Sequence, residues 1–205
     1  MRRAQFFIKD VFDFVASFLG LIVVSPLFLT ICIAITINDH GSPFFRQKRI
    51  GKNGRTFEII KFRTMVIDAE KLGDGLVVKS ENDPRITKVG KFLRKTSLDE
   101  LPQLLNVLLG EMSLIGPRPP VTYHPYDGYT NYPEQAKLRF KVRPGITGLA
   151  QVEKRNSATW DERIEIDIEY VKKFSLLLDI KILFKTIASM KYAEEYTGEN
   201  RNYRS

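Results

Sequence analysis

Residues 14–37 read FVASFLGLIVVSPLFLTICIAITI, a run without one charged side chain. This run restricts the fold more than any other feature, because it must be covered by protein or by lipid. Roughly 20 apolar residues suffice to cross a bilayer as a helix. A cleavable leader fits poorly, since the run is too long and Asp10 and Asp13 stand just before it. In its middle lies Ser25-Pro26. Proline removes a backbone donor and crowds the preceding turn, so a kink is expected there.

The residues leave two arrangements open: a kinked helix that crosses, or a re-entrant hairpin that enters and leaves on one side. Arg2, Arg3 and Lys9 precede the run, and Arg46, Lys48, Arg49, Lys52 and Arg55 follow it. A single crossing would place one of these clusters outside, against the positive-inside tendency. A hairpin keeps both inside. Each arm would hold about 11 residues and reach ~16 Å, about half the hydrocarbon core. Ser25 is suited to satisfy a backbone group freed by the bend.

The chain has 205 residues and a formal net charge of +8. That balance points to an anionic partner: nucleic acid, membrane surface or phosphorylated substrate. Cys32 is the single cysteine, so no internal disulfide forms, which fits a reducing compartment. With one Cys and only His40 and His124, a zinc motif is absent and a zinc enzyme is disfavoured.

Beyond the apolar run, residues 43–65 read PFFRQKRIGKNGRTFEIIKFRTM, two β-rich stretches around the turn signal GKNG. Lys61 and Arg63 alternate with apolar neighbours and should share one face. Residues 66–84 read as a polar loop. Helical spacing returns near Ile86, with a second helix expected from about Ser97 to Leu109 and Gly110 as its stop. GPRPP at 116–120 and VRPGITGLAQV at 142–152 read as stiff Pro/Gly loops, and residues 123–133 as an aromatic loop. Helices are expected over about 160–174 and 176–192. The last has a broad apolar face beside Lys181, Lys185 and Lys191, which suits a core helix or one lying in a membrane interface. The tail, TGENRNYRS, reads as disordered.

Residues 96–105, TSLDELPQLL, place two carboxylates side by side. The bland reading is punctuation: Ser97 and Glu100 match a capping box, and Asp99 complements the helix dipole. The cap itself is ambiguous between Ser97 and Asp99. The functional reading uses the same geometry, because a helix start attracts phosphate and favours an ionised carboxylate. Such a carboxylate can attack phosphorus, and Mg²⁺ would neutralise the phosphates. Lys61, Arg63, Arg94, Arg118 and Arg143 supply cations nearby in sequence; arginine binds two phosphate oxygens at once. Neither a GxxxxGK[ST] loop nor a GxGxxG fingerprint occurs, so an ordinary ATPase or dinucleotide enzyme is disfavoured.

With these motifs in order, together with DPRITKVGKFLRKTSLDELPQLLNVLLGEMSLIGPRP, KVRPGITGLAQV and DIEYV, the chain resembles the bacterial sugar transferases. These are monotopic phosphoglycosyl transferases that begin glycan assembly on a polyprenol carrier, and the likeness is to their small form. The resemblance implies a membrane-associated α/β fold: a re-entrant helix over 1–40 bent at Ser25 and Pro26, and a catalytic domain over 41–192, mostly helical with a β-hairpin and amphipathic interfacial helices. A tail would follow at 193–205. It implies a UDP-sugar donor, undecaprenyl phosphate as acceptor, Mg²⁺, and a site on the cytoplasmic face of the bacterial inner membrane.

By match to the family motif, Asp99 is nucleophile and Mg²⁺ ligand, Glu100 its partner and Arg94 the residue orienting the pair. Lys61, Arg63, Arg118 and Arg143 are substrate-side positions, and Asp167 is supporting. After GLAQV, relatives often continue Asn-Gly-Arg, whereas Glu153-Lys154-Arg155 stands here, so sugar identity transfers less safely than reaction type. A homodimer and contact with downstream glycosyltransferases stay open; nucleic acid is not expected. Two rivals are carried: a hydrolase using the same dyad with water, and a membrane-anchored basic module without catalysis.

Overall fold

The computed structural model describes residues 2–72, 83–154 and 157–191. The tail at 193–205 and most of the expected loop at 66–84 lie outside the described residues.

Helix α1 runs Arg2–Asp39. Among the described residues it is the one helix long and apolar enough to cross a membrane. Pro26 sits inside this helix rather than between two separate ones. Proline offers no N–H to the carbonyl four residues back, which belongs to Ile22. Ser25 Oγ donates to that same carbonyl at 2.8 Å, so the acceptor left open by the proline is satisfied within the helix.

One stripe of α1 is buried, at Lys9, Asp13, Ser17, Ile31 and Ile35, while Phe14, Phe18, Ile22, Val23 and Leu29 lie exposed. The N-terminal part docks through Phe6, stacked on Phe174. Lys9 donates to Asp179 at 2.6 Å, and Ser113 Oγ donates to Asp13 at 2.6 Å. The C-terminal part docks through Phe28, Ile31 and Ile35 against Phe44, Phe62 and Leu93. Both halves of α1 therefore rest on one folded body.

Strands β1 (Phe44–Ile50) and β2 (Thr56–Phe62) form the expected antiparallel hairpin, with Gln47 opposite Ile59. Its turn uses left-handed Asn53 and Gly54, at φ 57 and 79, as the GKNG signal requires. Phe57 and Ile59 pack on Val107 and Met112. Lys61 continues that face, toward the segment that follows helix α2 (Lys88–Thr96).

The two Pro/Gly loops meet. Strand β3 (Ser113–Ile115) leads into the first and β4 (Gly145–Thr147) lies within the second, a short parallel pair. A Cβ on Gly145 would stand 2.1 Å from the Gly116 amide nitrogen, so the loops approach backbone to backbone and glycine is required. The second loop ends sooner than expected, because helix α4 forms over Leu149–Lys154. Val142 and Leu149 pack with Tyr170, Phe174 and Ile182, and that burial draws the segment into a helix. Helices α5 (Trp160–Lys173) and α6 (Leu176–Lys191) fall where the periodicity puts them. On α6, Ile182 is buried while Leu177, Ile180, Phe184 and Ile187 form an exposed apolar row.

Candidate active site

The dyad segment departs from the expected helix start. Thr87 Oγ1 caps α2 by accepting from the Gly90 amide at 2.9 Å. Ser97 then ends α2 in the left-handed conformation, at φ 57 and ψ 16. Leu98–Glu100 form a single 3₁₀ turn, and helix α3 (Gln103–Leu108) begins only after Pro102. The Ser97–Glu100 capping box is not formed, since Ser97 makes no side-chain cap bond. A capping residue needs extended backbone, and left-handed Ser97 does not provide it. Gly110 does stop the helical stretch, with φ 75.

Glu100 turns instead to Lys61. The ammonium donates to Glu100 Oε1 at 2.6 Å and stands 3.9 Å from Asp99 Oδ2. Arg118 Nη1 lies 3.6 Å from the same Glu100 oxygen. The Asp99 and Glu100 side chains are 15% and 22% exposed, a site sheltered yet open to ligand. Arg94 donates through Nε to Thr64 Oγ1 at 2.8 Å, and its charge acts on Asp99.

The two carboxylates are pushed apart in acidity. At Asp99 burial dominates and lifts the pKa above the ordinary value; Lys61 opposes this, Glu100 adds repulsion, and Arg94 and Arg118 oppose it further. At Glu100 burial also works against the charge, but Lys61, Arg118 and Arg49 together outweigh it and hold the carboxyl at about 2. Glu100 is thus the more firmly ionised of the two acids, while burial works against the charge of Asp99.

Of the other expected residues, Arg63 and Arg143 reach the ends of α1. Arg63 Nη2 donates to the Asp39 carbonyl at 3.2 Å, and Arg143 Nη1 donates to Asp10 Oδ1 at 3.2 Å. Asp167 is buried and paired with Arg139. The structure thus brings Lys61, Arg94 and Arg118 around the dyad and ties Arg63 and Arg143 to the apolar helix.

Two arginines outside the expected set bear on the site, Arg49 through its charge on Glu100 and Arg139 through the Arg118 backbone. Arg49 is held by Gln47 Oε1 at 2.6 Å and the Pro119 carbonyl at 3.1 Å. Burial, with Arg118 adding repulsion, lowers its pKa to about 10. Its signal was the register: Gln47 and Arg49 lie opposite Ile59 and Phe57 and so share the Lys61 face. Arg139 carried no local signal.

No cluster of three or more His, Cys, Asp or Glu occurs among the described residues, so an all-protein metal cage is not present there. Mg²⁺ does not need one; it commonly takes one or two carboxylates plus substrate phosphate and water. Asp99 fits that habit, because Lys61 engages Glu100 closely and Asp99 more loosely.

A sheltered carboxylate pair ringed by cations thus sits on a body that carries one helix long and apolar enough to cross a membrane. The bacterial sugar transferase profile matches residues 4–192, and the chain belongs to that family. It is 42% identical over 195 residues to the exopolysaccharide production protein ExoY of Sinorhizobium fredii, covering 89% of this chain and 84% of ExoY. It is 43% identical over 184 residues to a UDP-glucose:undecaprenyl-phosphate glucose-1-phosphate transferase of Klebsiella pneumoniae, covering 87% of this chain and 39% of that one. It is 42% identical over 198 residues to the undecaprenyl-phosphate galactose phosphotransferase of Salmonella typhimurium, covering 90% and 40%. The chain thus spans about two fifths of the length of the last two.

Proposed function

We propose that this protein transfers a sugar phosphate from a UDP-sugar to undecaprenyl phosphate, giving undecaprenyl-diphosphate-sugar and UMP, as the first membrane step of glycan assembly. The observation that carries the reading is the Asp99–Glu100 turn held against Lys61 and Arg118, together with relatives named for this reaction.

An Asp99 oxygen attacks the β-phosphorus of the donor. The bond from that phosphorus to the bridging oxygen breaks, and UMP leaves with the electron pair. The sugar phosphate is then held on the Asp99 carboxylate as an acyl phosphate. A phosphate oxygen of undecaprenyl phosphate attacks the same phosphorus, and Asp99 leaves as a carboxylate. Lys61 and Arg118 face the charge that grows on the phosphoryl oxygens, and such fixed charges work best in a sheltered site. Glu100 holds both cations in place. Asp99 would hold Mg²⁺, which supplies charge neutralisation on the donor phosphates when bound.

The proposed seating is monotopic, with α1 dipping into one leaflet and turning at Ser25-Pro26. What supports it is the docking of both halves of α1 on one body: were α1 to cross, that body would sit within the bilayer. The exposed apolar row of α6 fits the same interface. Basic residues on either side of the run favour the cytoplasmic face of the inner membrane, where each well-placed Lys or Arg near anionic lipid is worth ~1 kcal/mol.

The test is nucleotide release from protein in lipid discs with Mg²⁺, undecaprenyl phosphate and a panel of UDP-sugars. UMP that appears only with the lipid acceptor is the expected result. UDP would mean plain glycosyl transfer, and lipid-independent UMP a hydrolase.

A further inference from the structure

Arg139 is among the most deeply buried side chains of the protein, 1% exposed, although it carries a charge. Its partner is Asp167 on α5, also buried, with Arg139 Nη2 at 2.5 Å from Asp167 Oδ2. The same Nη2 donates to the backbone carbonyl of Arg118 at 2.9 Å. Arg118 is the residue whose side chain stands 3.6 Å from Glu100. A continuous polar path therefore runs from α5 through a buried ion pair to the loop that carries a cation of the site. Phe140 and Trp160 lie against the guanidinium, with centroids at 5.4 and 5.9 Å, so its position is set by packing as well as by charge.

A buried ion pair is costly to form and gives little net stability against an apolar replacement of similar volume. The pair is therefore better read by what it holds in place than by net stability. Proline supplies no backbone donor, and three of the five residues in GPRPP are proline. Bonds accepted by the carbonyls of this loop are thus its main polar tethers, and Arg139 supplies one at the residue that matters.

We infer that Arg139, clamped by Asp167, is the positioning residue that sets Arg118 against Glu100 for the phosphoryl chemistry. This rests on the transferase reading of the site. Arg139 touches neither dyad carboxylate by any hydrogen bond found in the structure; it acts through the Arg118 backbone.

The test replaces the pair by apolar residues, Arg139→Met with Asp167→Leu, so that no unpaired charge is left buried. Folding is checked by cooperative thermal unfolding. Two readouts follow: UMP release, and hydrogen exchange of the amides in residues 116–123. The pair variant is expected to exchange faster in 116–123 while the β1–β2 hairpin is unchanged. It should lose kcat/KM by about 10- to 100-fold, as a misplaced group of order 1 Å does. Adding Arg118→Ala should cost no more than Arg118→Ala alone. A folded pair variant with native kcat/KM, or losses that multiply with Arg118→Ala, overturns the inference. If the wild-type protein releases no UMP from any donor, the transferase reading fails instead; unchanged exchange in 116–123 would then also sink the tether. Should the pair variant not fold, Arg139→Lys takes its place under the same readouts.

Discussion

Lys61 lies 2.6 Å from Glu100 and 3.9 Å from Asp99, so two adjacent carboxylates share one ammonium unequally. That inequality decides which acid is an anchored anion and which remains available. Lys61→Met is expected to reduce UMP release by ~10²–10³-fold, the scale seen when a preorganised charge-stabilising donor is removed. Activity within threefold of wild type would mean that Lys61 plays no part in the chemistry.

The same contact predicts a pH signature of stability. The folded pKa of Glu100, about 2, lies below its ordinary 4.5. Its ionised form therefore stabilises the fold above the ordinary value, and that contribution is lost as pH falls through about 2. Thermal unfolding of Glu100→Gln against wild type should show a gap at pH 7 that closes on acidification toward pH 2. A gap independent of pH would refute this linkage.

Asp99 carries the opposite sign. Its raised pKa means that the fold favours the neutral acid, a contribution lost as pH rises through the folded value. Asp99→Asn should thus leave stability at pH 7 equal or higher, the usual cost of a functional charge being removed. UMP release should fall by more than ~10⁴-fold, as when a nucleophile is deleted. Mass spectrometry should detect a phosphosugar adduct on wild type quenched with donor alone and none on the variant. An adduct on Asp99→Asn would place the nucleophile elsewhere.

Arg63 and Arg143 should behave unlike Arg118. Their partners are Asp39 and Asp10 at the two ends of α1, and such partly exposed pairs contribute only ~0–1 kcal/mol. Alanine at either position is expected to lower kcat/KM less than tenfold and to speed proteolysis near the ends of α1. Arg118→Ala should lower kcat/KM by at least ~10²-fold. Equal losses at all three positions would assign all three to substrate.

Ser25 and Pro26 predict a topological result. Single cysteines placed before and after α1 should both label from the same side of sealed vesicles. Pro26→Ala restores the missing N–H and removes a helix-interior cost of ~3 kcal/mol, so it should weaken activity without weakening the fold. Labelling from opposite sides in the wild type would establish a crossing helix.

What could be read without coordinates was whatever is encoded within a few residues. The GKNG turn needs left-handed backbone, and Asn53 and Gly54 adopt it. The helices at 160 and 176 followed from 3.6-residue periodicity, and the apolar run needs no partner to be recognised as such. Local codes also have equals that come out differently. Ser97-x-x-Glu100 and Thr159-x-x-Glu162 are the same pattern, yet only the second forms a capping box. Ser97 lost the cap because α2 ends there in a left-handed turn and Lys61, 39 residues earlier, draws off the Glu100 side chain. Tertiary structure alone decided which arginines meet the dyad, the parallel pairing of β3 with β4, and the burial of Arg139 against Asp167. Each depends on segments distant in sequence, and no neighbouring residue records which distant partner a backbone or a charge will find.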